Sequence, residues 1–192
     1  MKGKRTPADR DLSDEQVMKG IQSGRVEMLA ILFERHHVKL FNFFLRLCGN
    51  RVRSEDLVQD VFVRILKYNH TYRETGPFVF WMYQIARRVH LDSARRDQAV
   101  SSLEDTWQEP RSREANPDEA TVLESETRML RRALSELPEK KREALVLSRF
   151  HDFKYREIAE MMNCTVSTVK ILVHRGIKDL RRIYGGIKGG VQ

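Results

Sequence analysis

The sequence predicts an all-α fold built from two small helical domains and a flexible acidic linker. Apolar residues recur every three or four positions through most of the chain, and almost no segment alternates with a period of two. Proline and glycine are scarce, at 5 and 10 of 192 residues. We expect one domain at residues 1–97 and a helix–turn–helix domain at 127–192, with the linker at 98–126.

Four helices are expected in the first domain. Ser13 and Gln16 form a capping-box start for a short first helix. The other three are a long apolar-rich helix at 25–48, a helix capped by Ser54 that ends near Tyr68, and a helix from about Phe78 to Arg96 that follows Pro77.

The third of these helices has an apolar residue on its polar side. Its core face consists of Leu57, Val58, Val61, Phe62, Ile65 and Leu66. The remaining face carries Asp56, Gln59, Asp60 and Lys67, with Val63 among them. A single exposed valine is usually harmless. The residues alone therefore leave two interpretations open: an ordinary surface valine, or the centre of a protein interface.

The fourth helix combines aromatic residues with four arginines. Trp81, Met82, Ile85, Ala86 and Val89 should face inward, whereas Gln84, Arg88 and Arg95 project on another side, with Arg87 and Arg96 flanking them. Arginine binds phosphates, and aromatic faces stack on unpaired bases. The alternative is that Phe78, Phe80, Trp81 and Tyr83 all pack in the core, and we expect at most one or two of them to reach a base.

The predicted linker is strongly acidic. Residues 98–126 contain eight carboxylates and two arginines, and they are poor in apolar residues, so the segment cannot bury enough surface to fold alone. Residues 116–119, Asn-Pro-Asp-Glu, should start the next helix. The linker is either a solvated tether or a polyanionic segment that lies in a basic channel built for nucleic acid.

Residues 155–182 read as a helix–turn–helix. Ile158, Ala159 and Met162 form the apolar stripe of the first helix, and residues 163–165 form the turn. Asn163 suits a left-handed conformation there, and Thr165 can cap the second helix. In that helix the residues expected to face the core are Val166, Val169, Val173, Ile177 and Leu180.

The opposite face of the second helix is cationic and contains no carboxylate. It presents Ser167, Lys170, Ile171, His174, Arg175, Lys178 and Arg182. An ordinary solvated helix mixes both signs of charge. Cations, hydroxyls and an apolar contact for a thymine methyl are what phosphate binding and base reading require. We therefore predict a DNA-reading helix, and the alternative is a basic surface helix in a helical bundle.

Composition narrows the function classes. A formal charge of +8 favours a polyanionic partner. No stretch is apolar enough for a membrane span or a signal peptide. Cys48 and Cys164 are expected to be buried thiols, and the alternative is a disulfide or a redox pair. Together these features predict a cytoplasmic protein without membrane insertion. The histidines lack metal-ligand spacing, and no phosphate loop or nucleophile elbow occurs. We expect no catalysis, cofactor, metal or small-molecule substrate.

Three blocks in order resemble a bacterial extracytoplasmic-function sigma factor. They are DLVQDVFVRILKY at 56–68, FVFWMYQIARRVHLDSARR at 78–96 and LPEKKREALVLSRFHDFKYREIAEMMNCTVSTVKILVHRGIKDLRR at 137–182. Each block is moderately specific and the three together are highly so. The resemblance covers nearly the whole chain and implies a subunit that binds core RNA polymerase and promoter DNA, with an anti-sigma factor as a further partner.

The resemblance also implies roles for individual residues. Asp56, Gln59, Asp60 and Val63 would bind polymerase. The loop 69–77 and the fourth helix would capture and hold open the −10 element, through Trp81, Gln84, Arg87, Arg88, Arg95 and Arg96. The second helix of the helix–turn–helix would read the −35 element through Ser167, Thr168, Lys170, Ile171, His174, Arg175 and Lys178. The linker would run toward the RNA exit channel.

The sequence departs from the family pattern at two places. Family members often have asparagine at the position of Arg88. They often have serine-arginine at the positions of Ile171 and Leu172, and this second departure implies an altered −35 preference.

Two alternatives to a sigma factor remain. One alternative is a conventional helix–turn–helix regulator that binds duplex DNA without polymerase. The other is a sigma mimic that sequesters an anti-sigma factor, although its DNA-melting block should be degenerate, and block 78–96 is intact here.

Overall fold

The computed structural model of the protein describes residues 11–101 and 122–189, with side chains at 11–97 and 125–189. Within these ranges all the regular elements are helical, which confirms the all-α prediction. The α-helices are α1 (Asp14–Gln22), α2 (Leu29–Cys48), α3 (Arg51–Tyr68), α4 (Phe78–Ser101), α5 (Val122–Ser135), α6 (Glu139–Phe150), α7 (Tyr155–Met161) and α8 (Val166–Gly189), and short 3₁₀ turns cover Val26–Met28 and Asn69–Thr71.

By its internal contacts the chain forms two compact units. The first runs to Asn42 and resumes at Val52–Val100, and the second takes Phe43–Arg51 and the chain from Ser101. Most of the predicted acidic linker, together with the helix start predicted at 116–119, lies outside the described residues. The two ends of the predicted linker that are described, 98–101 and 122–126, are helical parts of α4 and α5.

In the first unit, apolar faces of α1, α2, α3 and α4 share one core. Its fully or nearly fully buried members include Val17, Met18, Ile21, Leu32, Leu40, Leu57, Val61, Ile65, Phe78, Met82, Tyr83 and Val89. The predicted capping box of α1 is confirmed: Ser13 Oγ accepts from the Gln16 N–H at 3.2 Å, and Gln16 Oε1 accepts from the Ser13 N–H at 2.7 Å.

The predicted start of α3 is wrong by one turn. The helix begins at Arg51, and Ser54 is a fully buried residue inside it. The cause lies before the helix, at Gly49, which adopts φ +70° and donates its N–H to Leu45 O at 3.0 Å. This left-handed glycine ends α2 abruptly, so the chain can start α3 two residues later.

Ion pairs fix α4 against α3. Arg64 Nη1 donates to Asp92 Oδ2 at 2.8 Å, and Arg53 contacts both Asp97 and the Ser93 hydroxyl. These side chains are partly exposed, so each pair adds little stability. They link the two helices at positions that the buried face of α4 already brings together.

The second unit is organised around α8, which packs against α5, α6 and α7. Its buried residues include Leu134, Leu137, Leu145, Val146, Leu147, Ile158, Ala159, Val169 and Val173. Gly176 is buried at the crossing of α8 and α6, where a Cβ atom would lie 3.4 Å from the Lys141 carbonyl oxygen and 3.7 Å from Leu145 Cδ1. Glycine here permits the close approach of the two helices.

Three burial predictions in and near the helix–turn–helix need correction. Met161, not Met162, belongs to the core, because α7 ends at Met161 and Met162 is the half-buried C-cap residue. Val166 is 37% exposed, since it is the first residue of α8 and lies beyond the edge of the core. Cys164 and Cys48 are free thiols, as expected, but they are half-buried rather than buried.

Replacing Gly176 by leucine should destabilise the second unit by about 1–3 kcal/mol, since the added side chain meets the α6 backbone. Gly185→Leu is the matched control, because Gly185 lies on the same helix and a Cβ added there would meet nothing within 4 Å. That variant should be neutral, or stabilising by up to about 1 kcal/mol through helix propensity. Thermal unfolding of both variants measures the difference, and an equal loss in the two would contradict the proposed crossing.

A small charged network joins α1 to α2. Arg35 Nη1 donates to Asp14 Oδ1 at 2.7 Å, and the ring N–H of the buried His36 donates to Asp14 Oδ2 at 2.7 Å. Burial alone would raise the pKa of Asp14, but the hydrogen bonds and charges of His36 and Arg35 outweigh it and lower that pKa. The ionised carboxylate therefore stabilises the folded state.

Asp14→Asn should lower the free energy of unfolding by about 1–3 kcal/mol at neutral pH. The contribution of Asp14 is fully present above the ordinary aspartate pKa of 3.8 and is lost as the pH falls through the lower folded value. Urea unfolding from pH 7 to pH 3 should thus show the wild type and the variant converging at the acid end. The exposed Asp11→Asn serves as the control, and a difference that grew on acidification would refute the assignment.

Candidate nucleic-acid and partner interfaces

The acidic stripe, which we define as Asp56, Gln59, Asp60 and Val63, occupies the outer face of α3. Asp56 and Gln59 are exposed, Asp60 is half-exposed, and Val63 is 62% exposed. Their spacing of three and four residues places them on one side of the helix. The opposite side of α3, predicted as the core face, is buried at five of its six positions, with Leu66 half-buried.

A second valine extends this stripe, and the sequence analysis missed it. Val52 is 68% exposed and lies four residues before Asp56 on the same side of the helix. Val52 lies in the first turn of α3, which precedes the helix start predicted at Ser54, so it was not assigned to the helix. An exposed valine at each end of a row of acids and an amide suits a partner that offers apolar contacts flanked by cations.

The α4 face, which we define as Trp81, Gln84, Arg87, Arg88, Arg95 and Arg96, presents its cations at different depths. Arg88, Arg95 and Arg96 are exposed, and the other members are half-buried. Among the aromatics, Phe78 and Tyr83 are buried, so they belong to the core, whereas Trp81 and Phe80 keep part of their surface. The Trp81 ring lies 5.2 Å from Tyr72 and 6.0 Å from Phe78, centroid to centroid.

One contact joins the two surfaces of the first unit. Arg96 Nη2 lies 3.7 Å from Asp60 Oδ2, between side chains that are 67% and 48% exposed. Such an exposed pair contributes little to stability. It does show that the acidic stripe borders the α4 face, which the sequence could not reveal because it does not fix how α3 is rotated against α4.

The turn of the helix–turn–helix has the predicted geometry. Asn163 adopts φ +50°, and the next residue, Cys164, donates its N–H to Ala159 O at 2.9 Å. Thr165 Oγ1 accepts from the Thr168 N–H at 3.1 Å, which confirms Thr165 as the cap of α8. These bonds fix the direction in which α8 leaves the turn.

The outer face of α8 is fully available. Its predicted DNA-reading residues, Ser167, Thr168, Lys170, Ile171, His174, Arg175 and Lys178, are all exposed, and so is Arg182. Ile171 exposes 50% of its surface. A row of cations and hydroxyls with one apolar member can bind phosphates and contact base edges in a major groove.

The single acid of α8 points away from this face. Asp179 Oδ2 accepts from Lys141 Nζ of α6 at 2.6 Å. That hydrogen bond, with the charge of Lys141, lowers the pKa of Asp179. The carboxylate is therefore ionised and directed toward α6, so within α8 nothing offsets the positive charge of the outer face.

Other kinds of site find no support in the described part of the chain. Across residues 11–101 and 122–189, no cluster of His, Cys, Asp and Glu could hold a metal ion. Nor does any helix in those ranges combine the length and hydropathy that crossing a bilayer demands.

Two stretches of the chain match known family models. Residues 32–100 match the model described as Sigma-70 region 2, and residues 127–180 match Sigma-70, region 4. The ECF RNA polymerase sigma factor EcfG of Rhodopseudomonas palustris is 30% identical over 139 residues, which cover 72% of this chain and 75% of that protein. The ECF RNA polymerase sigma factor SigX of Bacillus subtilis is 27% identical over 161 residues, which cover 81% and 83%.

Two solved structures share the fold. The sigma factor RpoE of Bartonella quintana, in complex with the anti-sigma factor NepR, superposes with a TM-score of 0.68 at 21% identity, over 80% of this chain and 94% of that one. CnrH, in complex with the cytosolic domain of CnrY, gives a TM-score of 0.62 at 19% identity, over 88% and 96%.

Proposed function

Because the chain belongs to the extracytoplasmic-function family of RNA polymerase sigma factors, we propose that its three surfaces divide the steps of promoter-specific initiation. The acidic stripe of α3 binds core RNA polymerase. The α4 face and the loop 69–77 capture and melt the −10 element. The outer face of α8 reads the −35 element. The chain performs no bond chemistry itself, since the polymerase forms the RNA, and it acts in the cytoplasm.

The contrast between α3 and α8 carries this proposal. One helix presents acids and valines, and the other presents cations and hydroxyls with its only acid turned toward α6. A regulator that works on duplex DNA alone has use for the second surface but not for the first. A chain that must join a protein partner to DNA needs both.

At the −35 element, recognition follows from the arrangement of α8. Lys170, Arg175 and Lys178 supply charge for phosphates, and Ser167 supplies a hydroxyl near the N-terminus of the helix. Ile171, half-exposed on the same face, can contact a thymine methyl. A side chain with no hydrogen-bonding group at this position predicts a preference for thymine over cytosine in the contacted step.

At the −10 element, the chain would open the duplex by binding unpaired bases, without a chemical reaction. Unstacking a base costs a few kcal/mol, and stacking on an aromatic face together with phosphate contacts can offset that cost. Trp81 is half-buried, so part of its surface remains accessible for stacking, and Arg88 and Arg95 are exposed for phosphates. The family resemblance places Arg88 at a position where asparagine is common, so we expect it to add charge rather than base-specific hydrogen bonds.

An anti-sigma factor is the natural regulator of such a chain. RpoE and CnrH, which share this fold, were each solved with a protein bound. For this chain we propose a partner that covers the acidic stripe, because the same exposed valines and acids that suit polymerase would suit a competitor. Covering that stripe blocks polymerase binding without touching the DNA-reading face of α8.

Free protein should bind promoter DNA weakly. Two DNA-binding surfaces raise each other's effective concentration only when their spacing is fixed, and we propose that polymerase fixes it. In a mobility-shift assay on a promoter library, a specific shift and an open complex should require both the chain and core polymerase. A tight specific shift by the chain alone, unchanged by polymerase, would favour a conventional helix–turn–helix regulator.

Charge reversals should separate the two kinds of surface. Lys170→Glu should weaken −35 binding by about 1–3 kcal/mol and spare polymerase association. Asp60→Arg should do the reverse. Lys188→Glu, an equal charge change five turns further along α8, and Glu27→Arg, at another exposed acid, are the controls. Affinity for core polymerase and for −35 duplex would be measured separately, and equal loss of polymerase binding in both test variants would show that the surfaces are wrongly assigned.

A further inference from the structure

The loop 69–77 has little core packing of its own. Tyr72 is its only buried residue, and residues 70, 71 and 73–77 are all exposed. A segment with so few apolar contacts keeps a defined conformation only if polar contacts hold it. Some of those contacts are local, such as the bonds of Asn69 to Leu66 O and of Thr71 to Tyr68 O. Others come from α1, which lies far away in sequence.

Gln22, the last residue of α1, holds the beginning of this loop. Its side-chain Nε2 donates to Asn69 O at 2.8 Å and to Tyr72 O at 3.0 Å. An amide nitrogen carries two hydrogens, so both are used. The two carbonyls bracket the 3₁₀ turn Asn69–Thr71, and one side chain therefore fixes both ends of that turn.

Two more residues of α1 hold the end of the loop. Glu15 Oε1 accepts from the Phe78 N–H at 3.1 Å, and this N–H, at the first residue of α4, has no acceptor within the helix. That hydrogen bond is the main reason why the pKa of Glu15 is lowered. Lys19 pairs with Glu74 at 2.9 Å across an exposed gap. Glu15, Lys19 and Gln22 are spaced by four and three residues, so they form one stripe of α1.

Tyr72 connects the loop to the α4 face. Its side chain is buried, and its ring packs against both Trp81 and Phe78, at centroid distances of 5.2 and 6.0 Å. Burial, with smaller effects from nearby acids, raises the pKa of its phenol to about 12, so the ring stays neutral. Because the Tyr72 ring packs against Trp81, a shift of the Tyr72 backbone would displace the ring that Trp81 contacts.

We propose that Gln22 is a positioning residue for −10 recognition: it acts through the Asn69 and Tyr72 carbonyls to hold the capture loop and Trp81 in the arrangement that binds unpaired bases. Glu15 supports it at the other end of the loop. This inference rests on the proposed function of the loop and of the α4 face. Preorganisation of this kind matters because ordering a loop during binding would cost part of the affinity.

Gln22→Glu is the sharpest test, since it keeps the shape but replaces both donor hydrogens by an oxygen that repels the two carbonyls. Gln22→Met removes the donors without adding charge. Ser23→Ala is the matched control, because the Ser23 hydroxyl donates only to Lys19 O within the end of α1. Thermal unfolding and affinity for core polymerase establish that each variant is folded and docks.

The readouts are the rate of −10 opening by the reconstituted holoenzyme, followed by permanganate reactivity of thymines, and the preference for a matched over a substituted −10 sequence. A third readout, in the chain without polymerase, is acrylamide quenching of Trp81, made the only tryptophan by Trp107→Phe. Both Gln22 variants should lose about tenfold in opening rate and part of the base preference, with increased quenching. Polymerase affinity and −35 binding should not change, and Ser23→Ala should behave as the wild type.

Different failures point to different errors. If the wild-type holoenzyme opens the promoter and both Gln22 variants match it in rate and base preference, the positioning role is wrong and the proposed function stands. A uniform loss of polymerase affinity with unchanged base preference would also overturn the positioning role, because it indicates a structural defect. If the wild-type chain with polymerase opens no promoter in the library, both proposals fall together.

Discussion

Burial of one apolar face on each functional helix is the constraint on which the rest of the structure depends. Side chains such as Val61 and Ile65 on α3, or Val169 and Val173 on α8, are almost fully buried. Burying one such side chain stabilises the fold by about 1.5–3 kcal/mol. Rotating either helix by a third of a turn would expose several of them. The outward faces are therefore oriented by the core, and they can carry acids or cations without affecting how the helix packs.

This constraint explains what the sequence could and could not predict. Helical periodicity alone identified most buried and exposed positions of α3 and α8, except Val52 and Val166 in their first turns, because that information is local. The start of α3 depends on the left-handed conformation of Gly49. The need for a glycine at position 176 depends on how closely α6 approaches α8. Contacts such as Gln22 to Tyr72 or Arg96 to Asp60 join residues far apart in sequence. Their residue types are ordinary for exposed helix positions, so no pattern distinguishes them in advance.

The distribution of charge matters more than the net value of +8. Acids are concentrated in residues 98–126, and two of them lie in the acidic stripe of α3, whereas α8 directs its single acid to Lys141 and leaves cations outside. One chain can therefore attract a basic protein surface at one place and DNA at another.

The surface that we propose melts DNA has to meet two opposing requirements. Bases must enter and leave it, so it cannot be buried in the core, and yet stacking requires a partner ring in a fixed position. The protein resolves this by keeping the loop 69–77 outside the core and holding it through a few hydrogen bonds from α1, while Tyr72 ties it to Trp81. Hydrogen bonds suit this purpose because they are directional, and each contributes only about 1 kcal/mol. Under the proposed function, these hydrogen bonds order the loop before single-stranded DNA binds.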